Sequence, residues 1–354
     1  MRGRLGADPL AGAPSARARH ACAAVGERLL VWGGQGAEGN LQTGGVLDLA
    51  SGTWKPTSLA NAPQPRGYVP GVAAGERFFV WGGHDGAPRG DGGLYDPATD
   101  TWKPVSSSGA PSARWLHTIT WAAEAERVVV WGGFDGADML DTGALYDPAT
   151  DTWTAMSTAG APTRRREHVA AWNGSRLLVS GGLGFDGLVE SVLLADGGLF
   201  DPAANAWEML PAAGHPTARY RHAAVAAGET FVIWGGATAD DPPYAGDGAA
   251  FSDAWQPRSG PAPAPRSGHT AVWVGPPVER VVFFGGVGVP GRLADGGIYD
   301  ANGGTFLPGP FPTGPVARDQ HCAVAAGAKM VIWGGQANAG ATQSGGVLDV
   351  AAAP

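Results

Sequence analysis

Glu167, His84 and Asp319 could exchange protons with a small polar substrate, and the guanidinium of Arg166 or Arg221 beside them could hold an anion. Tyr68, Trp115, Phe134 and Tyr220 add flat aromatic faces on which a ring or a peptide can stack. Their positions in the chain single them out. Each lies between an arginine and a histidine position, or directly after a glycine pair, in a sequence that otherwise repeats itself. The residues between arginine and histidine read Ala18-Arg19, Gly67-Tyr68, Trp115-Leu116, Arg166-Glu167, Tyr220-Arg221, Ser267-Gly268 and Asp319-Gln320. Those following the glycine pair are Gln35, His84, Phe134, Leu183, Ala237, Val287 and Gln336. No two pairs agree, although their surroundings barely change.

The surroundings form an internal repeat. A hydrophobic run ending in Gly-Gly occurs seven times, from Gly33-Gly34 to Gly334-Gly335, at intervals of 49, 50, 49, 54, 50 and 49 residues. Upstream comes P-x-x-R-x-x-H, with Arg17, Arg66, Arg114, Arg165, Arg219, Arg266 and Arg318. Downstream comes a pattern like L-Y-D-P-A-T-D-T-W, closing on Trp54, Trp102, Trp153, Trp207, Trp255 or Phe306. Each unit reads as four short strands joined by tight turns, and no stretch shows helical periodicity. First strands are rich in Ala, Gly and Thr, as crowding around an axis requires, and second strands are apolar on both faces. The fold class is therefore all-β: a seven-bladed propeller of four antiparallel strands per blade, forming one domain over 1–354. Blades are expected at about 17–58, 66–106, 114–157, 165–211, 219–258, 266–309 and 318–354. The seventh unit stops short of a fourth strand, and counting back from Pro14 puts Leu5 in the vacant large-residue slot. Residues 3–8 are thus expected to complete the last blade as an N-terminal strand.

Composition narrows the class. Of 354 residues, 58 are Gly and 29 Pro, yet 44% are hydrophobic and 14 are Trp, which excludes a disordered chain. A net charge of −8 argues against nucleic acid as a partner. No apolar run spans a bilayer, so membrane insertion is not expected. The N-terminus carries no apolar signal core, which fits a cytoplasmic chain or an exported one with its leader removed. Cys22 and Cys322 follow their histidines at opposite strand phase, which points to two buried free thiols rather than a bridge.

With Gly-Gly, Tyr-Asp and Trp at this spacing in all units, the chain resembles the kelch-repeat propellers of the galactose oxidase and kelch-like superfamily. That resemblance implies the propeller fold and leaves function open, because such propellers include protein-binding modules, sugar-active enzymes and metal-dependent specifier proteins. Galactose oxidase chemistry needs a Tyr–Cys crosslink and ligands from a further domain, and neither cysteine is placed for the crosslink. Nitrile-specifier proteins carry E-x-x-x-D-x-x-x-H, and no glutamate here has an aspartate four residues on. No metal or other cofactor is expected.

Residues shared by every unit are assigned to the scaffold. The arginines should donate to backbone carbonyls between blades. The histidines (His20, His117, His168, His222, His269 and His321, with Val69 in the exception) should be hydrogen-bonded core residues. The short polar residues Thr43, Asp91, Thr142, Asp196, Asp247, Asp295 and Ser344 should bond their local backbone. Residues that vary on one rim are assigned to the ligand: Arg19, Tyr68, Trp115, Phe134, Arg166, Tyr220, Arg221, Gln320 and Gln336. This rim suits a peptide or protein partner, or a small polar molecule, bound by a monomer. The alternative is metal-independent acid–base chemistry on a sugar or acidic molecule, with Glu167, His84 and Asp319 as catalytic groups. His215 has no role visible from its neighbours in sequence.

Overall fold

The computed structural model describes residues 11–185, 190–258, 260–308 and 314–351, and among these there is no helix. Seven antiparallel sheets follow one another along the chain, six of four strands and the last of three. In the third blade the strands run outward as Thr118–Ala122, Arg127–Trp131, Gly143–Asp147 and Thr152–Ala155. Each innermost strand lies against that of the next blade, and Ala21–Val25 of the first meets Cys322–Ala326 of the last, so the ring closes. The inner strands are largely half-buried (all but the last residue of Thr118–Ala122), because they face an axial channel rather than a neighbouring sheet. Second strands are buried along nearly their whole length, as at Arg127–Trp131. Residues 3–8, expected to close the last blade, lie outside the described residues.

Blades interlock through aromatic pairs. The indole ending one second strand meets the outer tryptophan of the following blade: Trp32 with Trp102, Trp81 with Trp153, Trp131 with Trp207, at centroid separations of 5.4–5.7 Å. Blade four has Ser180 in this position. There His215 fills the missing volume: its ring stands 4.7 Å from Trp255 and its Nε2 lies 3.1 Å from the Ser180 hydroxyl. The odd histidine is thus a substitute for an absent indole.

The repeated histidines explain the glycine pairs. A β-carbon on Gly132 would come within 2.5 Å of His168 Cε1, and one on Gly133 within 2.8 Å of the His117 Cβ. Each pair is wedged between its own histidine and the next blade's, with Val69 taking the histidine's place against Gly33 and Gly83. The expectation of hydrogen-bonded histidines needs correction. The rings of His20, His117, His222 and His269 have no side-chain hydrogen-bond partner on either nitrogen, and pack edge-on to indoles where one is present. Only His168 and His321 find hydroxyls, those of Thr118 and Thr270, because the preceding inner strand begins with threonine in those two blades alone.

Every repeated arginine is buried. Arg114 uses all five donors: Nε to the Ser112 carbonyl, Nη1 to the carbonyls of Gly132 and Thr142, and Nη2 to the hydroxyls of Ser112 and Thr142. The short polar residues therefore accept from the arginine of their own blade instead of bonding the local backbone; Asp196 and Asp247 do so at 2.8 Å. Burial lowers the Arg114 pKa to about 10, so it remains charged at neutral pH. Arg114→Lys presents three donors from one point in place of a planar five-donor fork. It is expected to cost about 3 kcal/mol in urea unfolding, since two or more buried acceptors lose charged partners.

Cys22 and Cys322 form a disulfide between the innermost strands of the first and last blades. This corrects the expectation of two free thiols. Opposite phase separates side chains within one sheet, but neighbouring blades stack the front of one sheet on the back of the next. Opposite phase is then what brings the two sulfurs together.

Candidate functional site

The two variable sets of residues pair with one another. In every blade the first residue after the repeated arginine forms a short antiparallel bridge with the residue after Gly-Gly: Ala18 with Gln35, Gly67 with His84, Trp115 with Phe134, Arg166 with Leu183, Tyr220 with Ala237, Ser267 with Val287, and Asp319 with Gln336. These bridges stand above the blades on the face that carries the loops between second and third strands. Gln336 belongs to the site through this pairing, its amide donating to the Asp319 carbonyl at 2.8 Å.

The second residue of each set turns towards the axis. Arg19, Tyr68, Leu116, Glu167, Arg221, Gly268 and Gln320 all adopt left-handed backbone, with φ between 50° and 65°. Their amides partly link them into a belt: Glu167 donates to the Leu116 carbonyl, Arg221 to Glu167, Gly268 to Arg221, and Arg19 to Gln320, at 2.8–3.3 Å. A left-handed residue with a β-carbon costs roughly 1 kcal/mol. Glycine would remove that cost, yet six of the seven keep a side chain. The scaffold fixes the geometry and leaves the chemistry free to differ.

One side of this mouth is a continuous strip. The Arg19 guanidinium lies 4.4 Å over the Tyr68 ring, Tyr68 meets Trp115 edge-on at 4.9 Å, and Trp115 contacts His84 at 4.8 Å and Phe134 at 6.3 Å. Arg166 caps the far end, 5.2 Å over Phe134, while its Nη2 donates to the Ser191 hydroxyl. These rings are half-buried, with faces left to solvent. Tyr220 stands apart from the strip, under the Arg221 guanidinium at 5.6 Å. Phe185 does too, covered by Arg164 at 4.1 Å.

The other side is polar, and its charges are compensated. Glu167, 10% exposed, accepts from Arg221 Nη2 at 2.6 Å and Nε at 3.0 Å. Burial opposes the Arg221 charge, but Glu167 outweighs it and raises the pKa, helped by the hydroxyls of Tyr220 and of Tyr68 three blades away. Asp319 takes Arg292 Nε at 2.6 Å on one oxygen and Gln320 Nε2 at 3.0 Å on the other. Arg19 bonds Gln320 and Gln35 through their Oε1 atoms, each at 2.6 Å. His84 accepts from the Gly86 amide through Nδ1 at 3.3 Å. The three candidate proton-transfer groups therefore lie apart, each already engaged.

Sequence reasoning missed Arg292, which lies in the loop between the second and third strands of blade six, and Leu116 and Gly268, which share the left-handed position without conspicuous side chains. The ring of equivalent positions was visible; that its second member always points inward was not. A depression between blades one and two on the opposite face is lined by Arg28, Glu76, Arg77 and Asp96. Its basic and acidic positions recur as the Arg127–Asp147 pair of blade three, so it belongs to the scaffold.

Among known proteins, the pattern of the KLHDC2/KLHL20/DRC7 Kelch-repeats domain matches residues 8–182 and again 72–256. The chain is 29% identical over 192 residues to "Adagio-like protein 3" of Oryza sativa subsp. japonica, covering 49% of this chain and 29% of that protein. It is 28% identical over 225 residues to "Adagio-like protein 1" of the same plant, covering 56% and 34%. It is 31% identical over 137 residues to "Acyl-CoA-binding domain-containing protein 4" of Arabidopsis thaliana, covering 37% and 20%. The chain thus spans about a third or less of these relatives' length.

Proposed function

Since the chain belongs to the kelch-repeat family of propellers, we propose that it is a recognition module whose axial mouth grips a peptide or an exposed loop of a partner protein. The observation that carries this is the ring of left-handed residues, which keeps one geometry in every blade, at a cost in six of the seven, while its members range over arginine, tyrosine, leucine, glutamate, glycine and glutamine. A half-buried strip of Tyr, Trp and Phe between two arginines has the composition of an interface hot spot. Proton transfer is less well supported: Glu167 is held by Arg221, Asp319 by Arg292 and Gln320, and no two of the candidate groups converge on one point.

Trp115→Ala should weaken binding of a peptide selected against the wild-type protein by about 30-fold, the effect of removing one hot-spot side chain. Its melting temperature should stay within a few degrees, because the indole packs against rim side chains of blades two and three and not in the core between the sheets. Binding unchanged in both Trp115→Ala and Arg221→Ala would remove this face as the site.

A further inference from the structure

Gly268 is the one member of the inward ring with no side chain. Its backbone conformation does not demand glycine, because Arg19, Tyr68, Leu116, Glu167, Arg221 and Gln320 adopt the same one. Nor do its neighbours: a β-carbon there would meet nothing nearer than the Asp319 Cβ at 4.0 Å. Gly67 offers the contrast. A β-carbon on it would lie 2.5 Å from Gln35, so packing forces that glycine. At Gly268 the missing side chain leaves a gap in the ring of side chains, between Arg221 of blade five and Gln320 of blade seven.

Granted the recognition role proposed above, we infer that this gap is the slot through which the bound peptide lowers one side chain that carries no positive charge into the axial channel. The charge state follows from the walls. Arg221 is satisfied by Glu167 and Arg292 by Asp319, while the Gln320 amide is spent on Asp319 and Arg19. An inserted ammonium would leave water without gaining an unpaired carboxylate, so it is rejected, whereas Arg19, held only by the amide oxygens of Gln320 and Gln35, leaves the wall open to a neutral or acidic group. A neutral side chain loses nothing of that kind. Blade six, which carries no aromatic at the rim positions, supplies the opening, and the Tyr68–Trp115 strip supplies the surface along which the rest of the peptide lies.

The test uses a library of displayed seven-residue peptides selected on the wild-type protein, followed by affinity measurements on one synthetic winner. Gly268→Gln copies the residue that Gln320 places in the same conformation, and should fold with nearly unchanged melting while weakening the peptide at least tenfold. Gly268→Asn, a residue tolerant of left-handed backbone, provides a second plug should the first melt early. Gly75→Gln, in an open left-handed turn at the opposite end of the strands, should bind like wild type. Replacing the winner's inserted residue by Lys should abolish binding. Full affinity in both Gly268 variants, with Trp115→Ala still impaired, overturns the slot and leaves the recognition role standing. Failure to select any peptide, or a winner indifferent to Trp115→Ala, overturns both.

Discussion

Acidification from pH 7 to pH 5 is expected to unfold this protein cooperatively, before its carboxylates begin to titrate. Burial, reinforced by the neighbouring repeated arginine, lowers the pKa of His20, His117, His269 and His321 to about 3, and puts His168 and His222 well below 6.5. The unfolded chain binds protons on these rings as pH falls through 6.5, whereas the native state refuses them until about pH 3. Their contribution is complete above 6.5 and drains away between those limits. At pH 5 each of the four rings near 3 has given up about 2 kcal/mol, and the four together about 8, which is the size of a whole domain's stability, with His168 and His222 acting in the same direction. The aspartates act later: burial works against Asp151, but the Ser106 amide and Tyr146 hydroxyl hold it below the usual carboxylate range, so its loss begins below about pH 4. Urea unfolding at half-unit steps should give a slope near six protons. His20→Val, which copies the chain's own exception at Val69, should reduce that slope by about one proton, or ~1.4 kcal/mol per pH unit. Constant stability between pH 7 and 5 would mean that water reaches the rings.

The architecture was legible because its cause is local and repeated. Gly-Gly, the arginine fork and the outer tryptophan recur at a fixed interval, and each repetition confirms the others. What escaped the sequence depends on contacts between blades. The Cys22–Cys322 pairing lies 300 residues apart and follows from face-to-back stacking, which no single strand reveals. His215 makes sense only beside Ser180, from the previous unit. The role of Thr142 and Asp196 required knowing that the arginine of the same blade, some 30 residues earlier, reaches both their carbonyl and their side chain. For the candidate site, pattern picks out two sets of variable positions, which the backbone bridges pair, but pattern alone does not tell which of two adjacent residues faces the axis. A left-handed backbone decides that, and any residue type can be driven into it by the scaffold.

Breaking the disulfide should be the most damaging single covalent change. A ring of blades has one seam, where the last blade meets the first, and every other junction is held additionally by chain continuity. At that seam the inner strands are bridged by Cys22–Cys322, His20 packs on Trp333 at 5.4 Å, and Trp333 packs on Trp54 at 5.4 Å. The crosslink closes a loop of 300 residues, and loop-closure entropy of that length contributes about 5 kcal/mol by restricting the unfolded chain. Cys22→Ala with Cys322→Ala is therefore expected to melt about 7 °C lower than the oxidised wild type, and reduction of the wild type should give the same shift. The two treatments separate causes: reduction keeps both sulfurs in place, so agreement between them assigns the loss to the bond, while a larger loss in the double variant assigns the excess to packing at Cys322, which is 2% exposed. Peptide binding at pH 7 and low temperature should survive either treatment, because the rim is held by the blade bridges and the belt of left-handed residues, not by the seam alone. A melt that ignores reduction would place the seam's stability entirely in its aromatic contacts.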